Sequence, residues 1–139
     1  MFNKTLKYLL ASAITLSLGT AFAAGPNMNP GKWEITTQTE MVGMAMSIPS
    51  VTHTQCIKAQ ELIPQSQEAS EACRVSDIKI DGDTVSWKIV CSGANGRMEG
   101  TGKVTYSGNT MEGTMDMVIS GAGMHVKNKI SGKRIGDCD

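Results

Sequence analysis

The chain has 139 residues, with 13 basic and 13 acidic side chains and a formal charge of zero. That length holds one domain, and the even charge balance excludes the basic footprint of a nucleic-acid binder. A hydrophobic share of 40% with 19% charged residues excludes a disordered chain.

Residues 1–23 read as a cleaved secretory signal peptide. Lys4 and Lys7 form its positive start, Leu9 to Leu18 its apolar stretch, and Ala21-Phe22-Ala23 the small-x-small cleavage pattern. A membrane-spanning helix needs about 20 strongly apolar residues, which this stretch does not reach. No Cys stands near the cleavage site to carry a lipid anchor, so no membrane anchor is expected after cleavage. The mature chain, 24–139, is read as a single domain. Without Lys4 and Lys7 it carries 11 basic and 13 acidic groups, a net of −2. It keeps no Phe, and its aromatics are Trp33, Trp87 and Tyr106. That is too few for a base-stacking platform. Met, with 10 copies in the full chain, takes the place of Phe as the large core residue.

After an opening loop, Lys32 to Met41 alternates, with Trp33 and Ile35 on one face and Glu34 and Thr36 on the other, which is strand periodicity. Met41 to Pro49 is a Met-rich connection punctuated by Gly and Pro. Val51 to Ile57 is a second strand. Lys58 to Ala72 is polar and contains Pro64, and is expected to hold one or two helical turns and a loop. From Cys73 onward the pattern is strands and tight turns.

Three hairpins are predicted with their registers. In the first, Asp81-Gly82-Asp83 turns the chain so that Ile80 faces Thr84, Asp77 faces Trp87, Val75 faces Ile89 and Cys73 faces Cys91. In the second, Gly108-Asn109 is a two-residue turn. Tyr106 then faces Met111, Val104 faces Gly113, Gly102 faces Met115, Gly100 faces Met117, and Met98 faces Ile119. That face is apolar, while Thr105, Lys103 and Thr101 meet Glu112, Thr114 and Asp116 on the other. A slip of one residue would exchange the faces, so this register is strongly specified. In the third, around Ser120-Gly121-Ala122-Gly123, Ile119 faces Met124 and Met117 faces Val126, with Asp116 meeting Lys127.

The fold class that follows is all-β: about seven strands in an antiparallel meander. Gly100 and Gly102 leave room on the apolar face, which the predicted register assigns to Met117 and Met115. Glycines on one face also let a sheet curl toward it. A strongly curved sheet closing toward a barrel or folding over as a sandwich is expected.

Cys56, Cys73, Cys91 and Cys138 allow three pairings, and an exported chain meets an oxidising compartment. Directly opposed positions on neighbouring strands bring Cys73 within disulfide reach of Cys91. This leaves Cys56 for Cys138. Neither Cys-x-x-Cys nor a catalytic signature such as Gly-x-Ser-x-Gly or His-Glu-x-x-His is present, so no enzyme and no cofactor are expected. His125 and the acids Glu99, Glu112 and Asp116 fall on the polar face among lysines, as a solvated surface does.

Two binding readings remain. In the first, Met41, Met44 and Met46 fold over the mouth of the curved sheet with Trp33 and Trp87. They would line a concave site for a small apolar ligand, or a contact with an envelope protein. In the second, the three thioethers and His53 form a soft-metal site for Cu(I) or Ag(I).

Several segments together carry a resemblance. They are Pro30-Gly31-Lys32-Trp33-Glu34, Met41 to Met46, Thr54-Gln55-Cys56, Cys73-Arg74-Val75, Trp87 with Cys91, Met98-Glu99-Gly100-Thr101-Gly102, and Ser131 to Cys138. The chain resembles domain-of-unknown-function family number 3617, of exported bacterial proteins. The resemblance implies a periplasmic setting and carries no activity, ligand or catalytic residue.

Overall fold

The computed structural model describes residues 25–64, 72–93 and 96–139; the predicted signal peptide lies outside them. Seven strands make up one sheet: β1 (Gly31–Met41), β2 (Val51–Ile57), β3 (Cys73–Asp81), β4 (Thr84–Gly93), β5 (Gly96–Ser107), β6 (Thr110–Ile119) and β7 (Met124–Gly136). Among the described residues there is no helix, and so none long and apolar enough to cross a membrane. The spatial order is β2-β1-β7-β6-β5-β4-β3, and every pair is antiparallel. Strands β3 to β7 form a continuous meander, and the β1–β2 hairpin adds beyond β7. The sheet is open, with β2 and β3 at its edges and no ladder between them.

The sheet curls hard. Trp33 on β1 and Tyr106 on β5 stand three strands apart, about 14 Å in a flat sheet. Their ring centroids are nevertheless 5.9 Å apart, edge to face at 80°. Both belong to a core with Ile35, Ile57, Val85, Trp87, Val104, Met111 and Ile130. The amino-terminal residues close over this end. Asn27 donates its backbone N–H to Asp83 Oδ1 at 2.8 Å, and Gly108 donates its own to the Asn27 carbonyl at 2.7 Å. From the β2–β3 connection, Leu62 and Ile63 pack against the core, and the Leu62 carbonyl accepts from Tyr106 Oη at 2.6 Å. Residues 58–64 of that connection form turns and bends, and its remaining residues 65–71, over which the expectation of one or two helical turns also extends, lie outside the described residues.

The second and third hairpins have the predicted registers: Tyr106 pairs with Met111, Gly102 with Met115, Asp116 with Lys127, and Ile119 with Met124. Gly108 takes φ 71°, the positive value that a Gly-first hairpin turn requires. The first hairpin departs from expectation. Cys73, Val75 and Ser76 pair with Cys91, Ile89 and Lys88 as predicted. Nearer the turn the register shifts by one, so that Ile80 faces Val85 rather than Thr84. A bulge at Asp77 and Ile78 absorbs the extra residue, and the two together oppose Trp87. The cause is side-chain phase. Without the bulge, Val75 and the pair Ile78 and Ile80 would lie on opposite faces. With it, all three share the concave face.

Asp77 carries the bulge at φ 51°, the one non-Gly residue with positive φ among the described residues. Asp and Asn tolerate that region and a β-branched residue does not. Asp77→Asn is therefore expected to leave the urea midpoint nearly unchanged, since its exposed contact to Lys88 at 3.2 Å contributes little. Asp77→Val is expected to cost about 1–3 kcal/mol.

Candidate functional site

The concave face is divided along the strands. At the end holding the β3–β4 and β5–β6 turns it is the sealed core. Toward the other end the inward positions are Met41 on β1, Met98 on β5, Met115, Met117 and Ile119 on β6, and Met124 on β7, each half-buried. Ile89 on β4 is half-buried in the same way. At the open β3 edge, Val75, Ile78 and Ile80 remain 41%, 56% and 52% exposed. One face thus carries a continuous apolar band of Met and branched side chains that the fold leaves only partly covered. Polar atoms in it are satisfied locally, as where Thr39 donates to Asn128 Oδ1 at 2.8 Å.

Glycines make the curl. A Cβ on Gly100 would lie 2.8 Å from Met117 Cγ, so that methionine fills the gap as predicted. The Gly102 gap is filled differently. Its nearest neighbours are the Trp87 ring atoms Cε2 and Cζ2, each 2.3 Å from a Cβ at that position, in place of the expected Met115. Trp87 pairs directly with Gly102 across β4–β5, and the larger, flatter indole takes the bare backbone. Met111 occupies the corresponding space over Gly132.

Both tryptophans are core residues, Trp33 0% and Trp87 2% exposed. Trp33 Nε1 donates to the Asn29 carbonyl at 3.1 Å, whereas Trp87 Nε1 is buried without a partner among the described residues. Burial pushes the Tyr106 phenol up, so it stays protonated and serves as a donor.

The Met41–Met46 segment does not fold over the concave mouth. Met41 pairs with Val126 on the concave side. Met46 turns back to the convex side and, with Ser47 and Ile48, lines a small hollow against Gln38, Glu40, Lys127 and Lys129. Met44 and Met46 are 50% and 61% exposed. His53 is paired opposite Ile35 on the concave side. The structure thus places Met41 and Met46 on opposite faces of β1 and His53 on the neighbouring strand.

All four cysteines are in disulfides, Cys73–Cys91 with Cα atoms 4.0 Å apart and Cys56–Cys138 with Cα atoms 5.6 Å apart. Among the described residues, no group of three or more His, Cys, Asp or Glu side chains is gathered to hold a metal ion. The convex face is a solvated surface with ion pairs, Arg97–Glu99 at 2.7 Å and Lys133–Glu34 at 3.4 Å, and with His125 Nε2 3.6 Å from Asp116 Oδ1. A hollow of about 380 Å³ on that face is lined by residues that include Lys79, Lys88, Lys103 and Asp116. At the carboxyl end, the Lys32 ammonium holds the Asp139 carboxyl below its usual range.

These features define an open, curled, disulfide-stapled β-domain with a part-covered apolar concave face. The chain belongs to the family described as Protein of unknown function (DUF3617), whose profile matches residues 28–138 and so takes in both disulfides. No curated protein and no solved structure matches the chain. The two disulfides fit an oxidising, extracellular-type environment.

Proposed function

We propose that the protein is a non-enzymatic periplasmic binding protein, exported by cleavage after Ala23, that holds a small apolar ligand on the concave face. The observation that carries this reading is the part-exposed band of Met41, Met98, Met117, Ile119 and Met124 beside Val75, Ile78 and Ile80. Methionines suit such a role because their unbranched, polarisable side chains repack around ligands of different shape. The ligand-facing surface falls to this band, since Trp33 and Trp87 expose almost nothing.

Native mass spectrometry of protein taken from the periplasm tests the proposal. The expected mass is that of a chain beginning at Ala24 with two disulfides, plus a non-covalent adduct that organic solvent removes. Met117→Lys, which puts a charge in the band, is expected to lose the adduct. Protein that carries no adduct and takes up no added fatty acid would overturn the binding reading. A mass that includes Met1 would overturn export.

The soft-metal alternative is tested separately. Tight Cu(I) binding is not expected, because Met41 and Met46 lie on opposite faces of β1. Changing Met41, Met44 and Met46 together to Leu is expected to cost under about 1.5 kcal/mol at each site while removing the thioether donors. Cu(I) binding in competition with a chelator, lost only in that variant, would reinstate the metal site.

A further inference from the structure

Strand β3 is an edge of the sheet, and every residue on it from Arg74 to Asp81 is exposed. Its backbone presents groups that the sheet does not pair. Ser92 on β4 donates its N–H to the Ala72 carbonyl at 3.0 Å, so Ala72 faces β4. By alternation Cys73 and Val75 turn their N–H and C=O groups away from it. At the other end Asp81 and Thr84 flank a two-residue turn as a bonded pair, so Ile80 turns its own groups outward. Such an edge is a template for another strand.

The side chains select which strand. On the convex side the edge carries Arg74, Lys79 and Asp81, opposite the neutral Val90, Ser86 and Thr84 of β4. None of the three has an ion-pair partner among the described residues. On the concave side stand Val75, Ile78 and Ile80, all exposed. Laid antiparallel against a copy of itself with Val75 opposite Ile80, β3 also sets Arg74 opposite Asp81 and Ser76 opposite Lys79. Each pair then occurs twice, about a two-fold axis at the bulge. The bulge is what permits this. Without it Val75 and Ile80 would point to opposite faces, and the pairing could not join like faces. Sliding the copy by two residues one way sets Arg74 against Lys79, and the other way sets Lys79 against Ile78. Charge and face therefore agree in one register.

We propose that two copies of this chain join edge to edge through β3, with Arg74 of each copy opposite Asp81 of the other, so that their sheets become continuous. Charge and a bulge ordinarily guard an edge against foreign strands. Here both are complementary to the same edge in a second copy, which favours self-association over a different extended partner. The other edge, β2, carries no Lys, Arg, Asp or Glu, so no charge pattern sets a register there. The pairing lies at the rim of the apolar band and does not depend on a ligand being held in it.

The test is sedimentation of the disulfide-intact protein over about 5–500 μM, a range suited to a small interface. A monomer–dimer equilibrium is expected. Arg74→Asp and Asp81→Arg each set like charges together at two symmetric places, and each is expected to weaken association about tenfold or more. Carrying both changes on one chain restores the opposite pairs at unchanged net charge, and is expected to restore the dimer. Val75→Pro removes an outward N–H that β4 does not use, and is expected to abolish association while the two disulfides and the sheet remain. A monomer at every concentration would overturn the proposal. So would a dimer that persists in Val75→Pro or in Arg74→Asp, or a doubly changed chain that keeps the denaturation midpoint and stays monomeric. Val75 and Ile80 amides that resist hydrogen exchange in the dilute monomer would mean that the chain covers this edge itself, and would equally overturn it.

Discussion

Gly102→Val is expected to be among the most damaging single substitutions in this domain. A Cβ at position 102 would stand 2.3 Å from two ring atoms of Trp87 and 2.8 Å from its Nε1. The indole is 2% exposed and packed within the core cluster, so moving it aside displaces other core side chains. Overpacking typically costs about 1–3 kcal/mol and sometimes more. Here the displaced group is the largest side chain on β4, so the upper part of that range or beyond is expected. Lys103→Val, one residue along, adds a branched side chain on the exposed face and is expected to change stability by about 0.5 kcal/mol or less. Urea midpoints of the two variants make the comparison. A double-mutant cycle identifies the partner: Trp87→Leu combined with Gly102→Val should cost less than the two single effects added together. Strict additivity would mean that the substituted side chain meets something other than the indole.

Removing the Cys56–Cys138 bridge is expected to destabilise more than removing Cys73–Cys91. The former spans a sequence separation of 82 and the latter 18. On the chain-entropy model those loops correspond to about 4.5 and about 3 kcal/mol. Topology points the same way. Strand β2 is an edge strand paired only with β1, and Cys56 ties it to the tail that follows β7. Strand β3 is also an edge, but it continues through a tight turn into β4 and keeps that local register without the bridge. Paired Cys→Ser variants, Cys56 with Cys138 and Cys73 with Cys91, measured by equilibrium denaturation, provide the check. A larger loss for the Cys73 and Cys91 pair would mean that constraint of the unfolded chain is not what the long bridge supplies.

Much of the fold was legible in the residues because β3 to β7 pair through consecutive hairpins. The β5–β6 and β6–β7 registers follow from a two-residue turn and strict alternation. With Thr105, Lys103 and Thr101 on one side and Tyr106, Val104 and Gly102 on the other, any one-residue slip buries charge. The Cys73–Cys91 bridge followed from the same reasoning, because the far half of that hairpin keeps the predicted pairing. The near half did not. Val75, Ile78 and Ile80 fit no single alternation, and only burial of Val85 and Trp87 against the rest of the core decides that a bulge at Asp77 brings all three to one face.

What the sequence determined by itself is the all-β class, the β5–β6 and β6–β7 pairings, the Cys73–Cys91 bridge and the apolar face, since each depends on neighbours in the chain and a period of two; Cys56–Cys138 then followed by elimination. Only the tertiary structure decided that β1 docks on β7, that the curled sheet stays open between β2 and β3, that Trp87 rather than Met115 lies over Gly102, and that Met46 turns to the convex side. Those outcomes depend on which distant side chain fills a given space. A glycine between two strands offers the same gap to both neighbours, and shape and curvature choose between them.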